Sequence, residues 1–210
     1  HGAEFIVIDH HGFDKDVITK EVLAHINPEL VEESGANFSA GMLCAEIGRI
    51  INEDVENMEQ IPALAGYADR IDISNPELMK EYLKIAETRG YDKQLLADIS
   101  LVIEYVSTKL RFMESREYIE VLFGEPREQQ KKLVSLMAPH IRGLDKKGLA
   151  IGKSSAEIEK FDKVTLQTIQ IEKSFPGFGF FPKPGRSVGL LHDNLQVETK
   201  VTSLVSVGIM

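Results

Sequence analysis

Apolar positions in this chain change period several times, and each change predicts an element. Glu4-Phe5-Ile6-Val7-Ile8 is a nearly continuous apolar run, β-branched or aromatic and too short for a helix. It predicts a strand buried on both faces, as in parallel sheets covered by helices. Val17, Ile18, Val22 and Leu23 fall at helical spacing and predict a short helix over 13–25, closed by a turn at Asn27-Pro28. Ser39 is the natural N-cap of a helix from about Ala40 to Ile51. Leu43, Ile47, Ile50 and Ile51 form its expected buried stripe, with Ala40, Gly41, Ala45 and Gly48 keeping the rest small enough to pack closely on a sheet. An acidic loop over 52–59 precedes a further helix, Ile61 to Ala68.

From Asn75-Pro76 the pattern becomes helical. Asn caps, Pro takes the first helical position, and the helix should stop at Gly90. Asp92 caps a longer helix to about Met113 with Leu95, Leu96, Ile99, Val102, Ile103, Val106 and Leu110 on one face. Two more follow near Arg116 to Phe123 and Pro126 to Ala138, punctuated by Gly124, Pro139 and Gly143. Residues 143–155 read as a linker, and 164–171, 187–191 and 197–207 as strands, with His192-Asp193-Asn194 as a turn. The fold class is α/β: a parallel-sheet segment over 1–75, a helical insert over 76–148 and the start of a mixed α+β segment over 149–210.

Composition narrows the function classes. With 43% hydrophobic and 27% charged residues over 210 positions, the chain has an ordinary globular make-up. No apolar run approaches the ~20 residues of a membrane span, and no basic-then-apolar leader is present. The lone Cys44 excludes an internal disulfide framework, agrees with a cytoplasmic setting, and is expected to be a small buried residue of the Ala40–Ile51 helix. The His start and the apolar, β-rich end from Thr202 to Met210 read as a piece of a longer protein. Residues 1–75 carry a net charge of -11 and each later third +1, so an acidic first segment would need metal ions before it met a polyphosphate.

The chemistry concentrates at Asp9-His10-His11-Gly12, beyond the carboxyl end of the first strand, where open α/β sheets gather ligands. Imidazole and carboxylate together suit manganese, zinc or iron, and the fitting reaction is metal-assisted attack on a phosphorus ester. Neighbouring strand side chains point to opposite faces, so both histidines serve one site only where the strand ends, which Gly12 permits. Ser39 begins a helix whose N-terminus is either a phosphate cradle or a capped end and nothing more. Asp69-Arg70 is either an exposed ion pair or a ligand delivered by a helix end, with Asp72 as the alternative carboxylate. His25 reads as a dipole-stabilised or exposed histidine, and Gly152-Lys153-Ser154 lacks the context of a phosphate-binding loop. Lys109, Arg111, Arg116, Arg127, Lys131 and Lys132 alternate with acids as a solvated face does. The four phenylalanines of 175–186, beside Lys183 and Arg186, either stack bases of a single strand or anchor the loop on its own core.

The runs Val7-Ile8-Asp9-His10-His11-Gly12, Asn27-Pro28, Gly35-Ala36-Asn37-Phe38-Ser39-Ala40-Gly41 and Ala65-Gly66-Tyr67-Ala68-Asp69-Arg70 resemble the DHH phosphoesterase superfamily, specifically its archaeal RecJ-like exonucleases. The resemblance is specific over about the first seventy residues. It implies that His10 and Asp69 ligate metal, that His11 faces the scissile phosphate with Asp9 orienting the pair, and that Ser39 and Arg70 line the substrate side. It further implies Mn2+ in a two-metal site, with Mg2+ possible, and single-stranded DNA or RNA as substrate, with replication or repair proteins as further partners and no membrane. In this family the other metal aspartates precede the Asp-His-His strand and a Gly-Gly-His segment follows the later strands, so the chain is expected to hold half the site. Two other readings stay open: a non-catalytic replication or repair scaffold on the same fold, and a phosphoesterase of small oligonucleotides or pyrophosphate.

Overall fold

The computed structural model describes residues 3–14, 22–56, 58–109, 116–124, 127–171, 184–201 and 203–209. The fold is α/β and divides into two compact units, His1–Ser100 and Leu101–Met210.

In the first unit, β1 (Phe5–Ile8) pairs in parallel with β2 (Val22–Ile26), Val7 opposite His25 and Ile8 opposite Ile26. β2 corrects the helix expected over 13–25. Val22 and Leu23 fit a helical period by eye, but this segment hydrogen-bonds to β1, a long-range pairing that outweighs local spacing. β1 is a strand, yet not one buried on both faces: Phe5 is 48% and Ile6 58% exposed.

Two short 3-10 turns, Pro28–Val31 and Gly35–Asn37, lead to α1 (Ala40–Ile51), capped as expected by Ser39 Oγ, which accepts from Met42 N. The buried face is not the expected one. Met42 and Ala45 are buried while Ile50 and Ile51 are more than three-quarters exposed, and Cys44 is exposed rather than buried. The reason is a helix partner. α1 packs on α2 (Ile61–Ala68) so closely that a Cβ on Gly41 would stand 2.7 Å from the Cβ of Ala65, and the small residues set the interface. Arg70 then takes a left-handed conformation, φ 60°, that starts the short α3 (Ile71–Ser74). α4 (Pro76–Thr88) has Asn75 as its cap, and Gly90 follows it at φ 73°. Met42, Ile71 and Met79 form the centre of this unit's core.

α5 (Lys93–Lys109) follows, with Leu96, Ile99, Val102 and Val106 buried and Asp92 capping its start through Leu95 N. α6 (Arg116–Phe123) follows. α7 (Arg127–Ser155) then runs unbroken through Pro139 and Gly143, so the linker expected over 143–155 is helix. An interior proline costs roughly 3 kcal/mol. Here Val134, Ala138, Ile141, Gly148 and Gly152 bury one continuous seam at four-then-three spacing on both sides of Pro139.

β3 (Glu157–Lys160) and β4 (Thr165–Gln170) form a hairpin, and β4 pairs in parallel with β5 (Leu204–Ile209), giving the order β3-β4-β5. The crossover between β4 and β5 contains α8 (Pro184–Thr199). A strand over 187–191 and a turn at 192–194 are therefore corrected to helix, and the strand expected over 197–207 begins only at Leu204. A parallel β4–β5 pair needs a crossover, and α8 buries Ser187 and Leu191, one helical turn apart. Phe175 to Lys183 and Arg111 lie outside the described residues. Among the described residues no helix is long and apolar enough to cross a membrane.

Candidate metal and phosphate site at the end of β1

β1 ends at Ile8, and the amide of Asp9 makes a last bond to the Ile26 carbonyl. The chain then turns because Asp9 Oδ1 accepts from the backbone N–H of His10 at 2.8 Å and of His11 at 3.4 Å. A short carboxylate that captures the amides following it is a natural strand terminator. Asp9, rather than Gly12, therefore brings both imidazoles to one side, their ring centroids 4.3 Å apart.

The two rings face different surroundings. His10 is 15% exposed and His11 74%. His10 Nδ1 lies 3.1 Å from the Gly35 carbonyl oxygen, and His11 Nδ1 lies 2.8 Å from Asp9 Oδ1. A carbonyl and a carboxylate can only accept, so both Nδ1 atoms carry a hydrogen, and in each neutral ring Nε2 is left with its lone pair. The hydrogen bond from His11 holds the Asp9 carboxyl below its ordinary value, against the opposing effect of burial and with help from the two backbone amides.

His10 Nε2 stands 3.9 Å from Asp69 Oδ2, where α2 delivers its C-cap residue. Two bonds of about 2.1 Å to one first-row ion span up to about 4.2 Å, so one ion fits both atoms. The bare Nε2, held by a bond on the far nitrogen, is the form a metal ligand takes. Ligand atoms of Asp9, His10 and His11 also fall within 4.8 Å of one another, close enough to share an ion. Manganese, zinc or iron suits the donors.

Of the other expected site residues, Ser39 is fully buried and its Oγ is engaged as the α1 cap. Arg70 is exposed beside Asp69 in its left-handed conformation. Asp72 turns to Lys93 at 3.5 Å, and Lys93 also sits over the Tyr67 ring. Arg186 is engaged within its own unit by Asp145 and Glu104. Burial works against its guanidinium, but the two carboxylates more than offset that and raise its pKa. His25 lies in β2 with Nδ1 buried and its ring edge-on to Phe13.

Two supporting residues carried no role in the sequence. Asn27 Nδ2 donates to the His11 carbonyl at 3.0 Å, and Gly35 receives His10. Asn27 stood in the sequence as a turn residue and, like Gly35, as part of a run shared with the DHH superfamily, with no site role, and Gly35 acts through its backbone, which no side-chain motif displays. An adjoining hollow of about 340 Å³ is lined mainly by apolar groups, including Ile26, Leu30, Val31, Phe38 and Leu43, and does not suit a phosphate.

No family model matches the chain. An uncharacterized protein of Methanocaldococcus jannaschii is 30% identical over 216 aligned residues, which cover 92% of this chain and 28% of that protein. Among solved structures, the DHH domain of a member of a family of ribosomal proteins superposes with a TM-score of 0.84 at 28% identity, over 99% of this chain and 49% of that one. The fold is that of a DHH domain. The chain thus spans about a quarter of the curated relative it matches and about half of the solved one.

Proposed function

We propose that this DHH domain carries the histidine side of a metal-dependent phosphodiester hydrolase, a RecJ-like exonuclease of single-stranded nucleic acid working in the cytoplasm. The observation that supports it most is the 3.9 Å gap between His10 Nε2 and Asp69 Oδ2, contributed by two distant segments to one ion-sized space. Bound there, manganese supplies a water nucleophile active near neutral pH and a Lewis acid for the phosphoryl oxygens. A second such ion beside the first would complete a two-metal site.

The chain's own residues divide the remaining work. His10 offers a lone pair from a ring locked by the Gly35 carbonyl. His11, the exposed ring, keeps Nδ1–H on Asp9 and in its imidazolium form donates Nε2–H to a phosphoryl oxygen where charge accumulates. Arg70, exposed next to Asp69 in the chain, is the proposed substrate-side cation. Ser39 contributes through the helix start that it caps, since its own oxygen is already engaged. The structural neighbour's naming as a member of a ribosomal-protein family favours a nucleic-acid polymer over a small ester, and RNA within that class. Replication or repair proteins follow as partners of an exonuclease.

The test is a single-strand nuclease assay with Mn2+ on this chain and on the full-length protein, each beside a His10→Ala version and a chelated control. The full-length protein should cut and lose activity with His10→Ala or on chelation, and the short chain should show little. Cutting by the full-length protein that survives His10→Ala would sink the proposal. No cutting at full metal occupancy would favour the scaffold.

A further inference from the structure

The turn Gly35–Asn37 touches the metal corner from one side and the helices after Asp69 from the other. Its first residue receives His10: Nδ1 donates to the Gly35 carbonyl at 3.1 Å. The approach is so tight that a Cβ on residue 35 would stand 1.8 Å from the His10 carbonyl oxygen and 3.8 Å from a Glu29 carboxylate oxygen. No side chain fits without moving the backbone of His10 itself. Gly35 is buried, and its φ is not in the left-handed region, so the need for glycine here is steric.

The rest of the turn is tied to the element that starts immediately after Asp69-Arg70. Ser74 Oγ, the last residue of α3, donates to the Ala36 carbonyl, and Asn75 Nδ2 reaches the Asn37 carbonyl at 3.5 Å. Ser34 Oγ closes the turn by accepting from Ala36 N. Three successive carbonyls, of residues 35, 36 and 37, are thus bonded outward, one to His10 and two to the α3–α4 junction.

We infer that the Gly35–Asn37 turn is a brace that sets the His10–Asp69 separation and fixes His10 as the Nδ1–H tautomer, with Gly35 and Ser74 as its positioning residues. His10 Nε2 and Asp69 Oδ2 stand 3.9 Å apart, beyond hydrogen-bonding reach, and the brace is a short hydrogen-bonded path between their two segments. Outer partners of a metal-bound histidine act in this way, and their loss typically lowers metal affinity 10–100-fold. The consequence for metal rests on the reading of His10 as a ligand; the tautomer and the tie to α3 do not.

The experiment uses Gly35→Ala, Ser74→Ala and Ser74→Thr. The His10 tautomer is read in this chain from imidazole 15N shifts. Mn2+ affinity is read in the full-length protein from the electron-spin resonance of the free ion. The brace requires a wild-type ring that is mainly Nδ1–H, a mixed tautomer in Ser74→Ala, restoration in Ser74→Thr, and a 10–100-fold loss of affinity in Gly35→Ala. If Gly35→Ala does not fold, Ser74→Ala decides: an unchanged tautomer overturns the brace. So does wild-type tautomer and wild-type affinity in folded variants. If the wild-type protein takes up no Mn2+ while Ser74→Ala still disturbs the tautomer, the metal reading fails and the brace stands.

Discussion

His11 Nδ1 lies 2.8 Å from Oδ1 of Asp9, two residues before it, and the same oxygen also holds the amides of both histidines. One carboxylate oxygen therefore ends a strand and aims an imidazole. Its pKa is lowered chiefly by the His11 bond. The sign follows: a carboxyl lowered on folding stabilises the fold above the unfolded value of about 3.9, and that stabilisation is lost as pH falls through the lower folded value. A 13C titration of Asp9 should give a midpoint below 3.9, and His11→Ala should bring it back up. A midpoint unchanged by His11→Ala would assign the shift to the backbone amides instead.

Arg70 gives a second prediction, because backbone and side chain pull in opposite directions there. Its φ of 60° costs an L-residue roughly 1–2 kcal/mol that glycine avoids. Arg70→Gly should therefore raise stability by about 0.5–1 kcal/mol in denaturant melts, whereas Arg70→Ala keeps the strain and gains nothing. If Arg70 meets the substrate, both should raise KM for a single strand to the same extent. A KM unchanged in both variants would remove Arg70 from the substrate side.

What could be read in advance follows a physical line. Helices announced by their own caps were legible: Ser39 for α1, Asn75-Pro76 for α4 and Asp92 for α5 all cap as expected. So was the end of β1, since Asp-His-His after an apolar run is local chemistry. Elements fixed by distant partners were not. Val22–Ile26 is a strand because β1 is beside it, and 187–191 is helix because β4 and β5 run parallel and need a crossover. In the site, Asp9, His10, His11 and Asp69 are side-chain signals. Gly35 escaped because its carbonyl and its missing Cβ are what matter, and a loop glycine has many other reasons to exist.

Arg186 carries a third prediction. It reaches Asp145 through two bonds, of 3.2 and 2.7 Å, and Glu104 through a third of 2.6 Å, all three side chains less than a third or about a third exposed. Removing the cation leaves two carboxylates facing each other. The cost should fall below the roughly 3–5 kcal/mol of a fully buried pair, because water reaches the group. With Arg186→Met, the penalty should be largest at low ionic strength and shrink as salt screens the two partly exposed carboxylates. A penalty unchanged by salt would mean that the loss is one of packing rather than charge.

The last prediction concerns the continuity of α7, where sequence rules and structure conflict most. Pro139 is exposed and lacks the N–H that an interior helical residue donates, while Ile141, two residues on, is fully buried. If the buried seam holds the helix together across the proline, the two positions must respond in opposite senses. Pro139→Ala restores a backbone hydrogen bond and removes an exposed ring, so it should stabilise by up to about 3 kcal/mol, less whatever the relaxed helix has already recovered. Ile141→Ala opens a cavity in the seam and should destabilise by about 2–5 kcal/mol. Gly152 tests the far end of the same seam: a Cβ there would stand 2.5 Å from Leu191 Cδ1, so Gly152→Ala should cost stability despite its higher helix propensity. Denaturant melts of the three variants decide the matter. A stabilised Gly152→Ala would mean that α7 does not pack on α8 as described, and a destabilised Pro139→Ala would mean that the proline itself supports the helix.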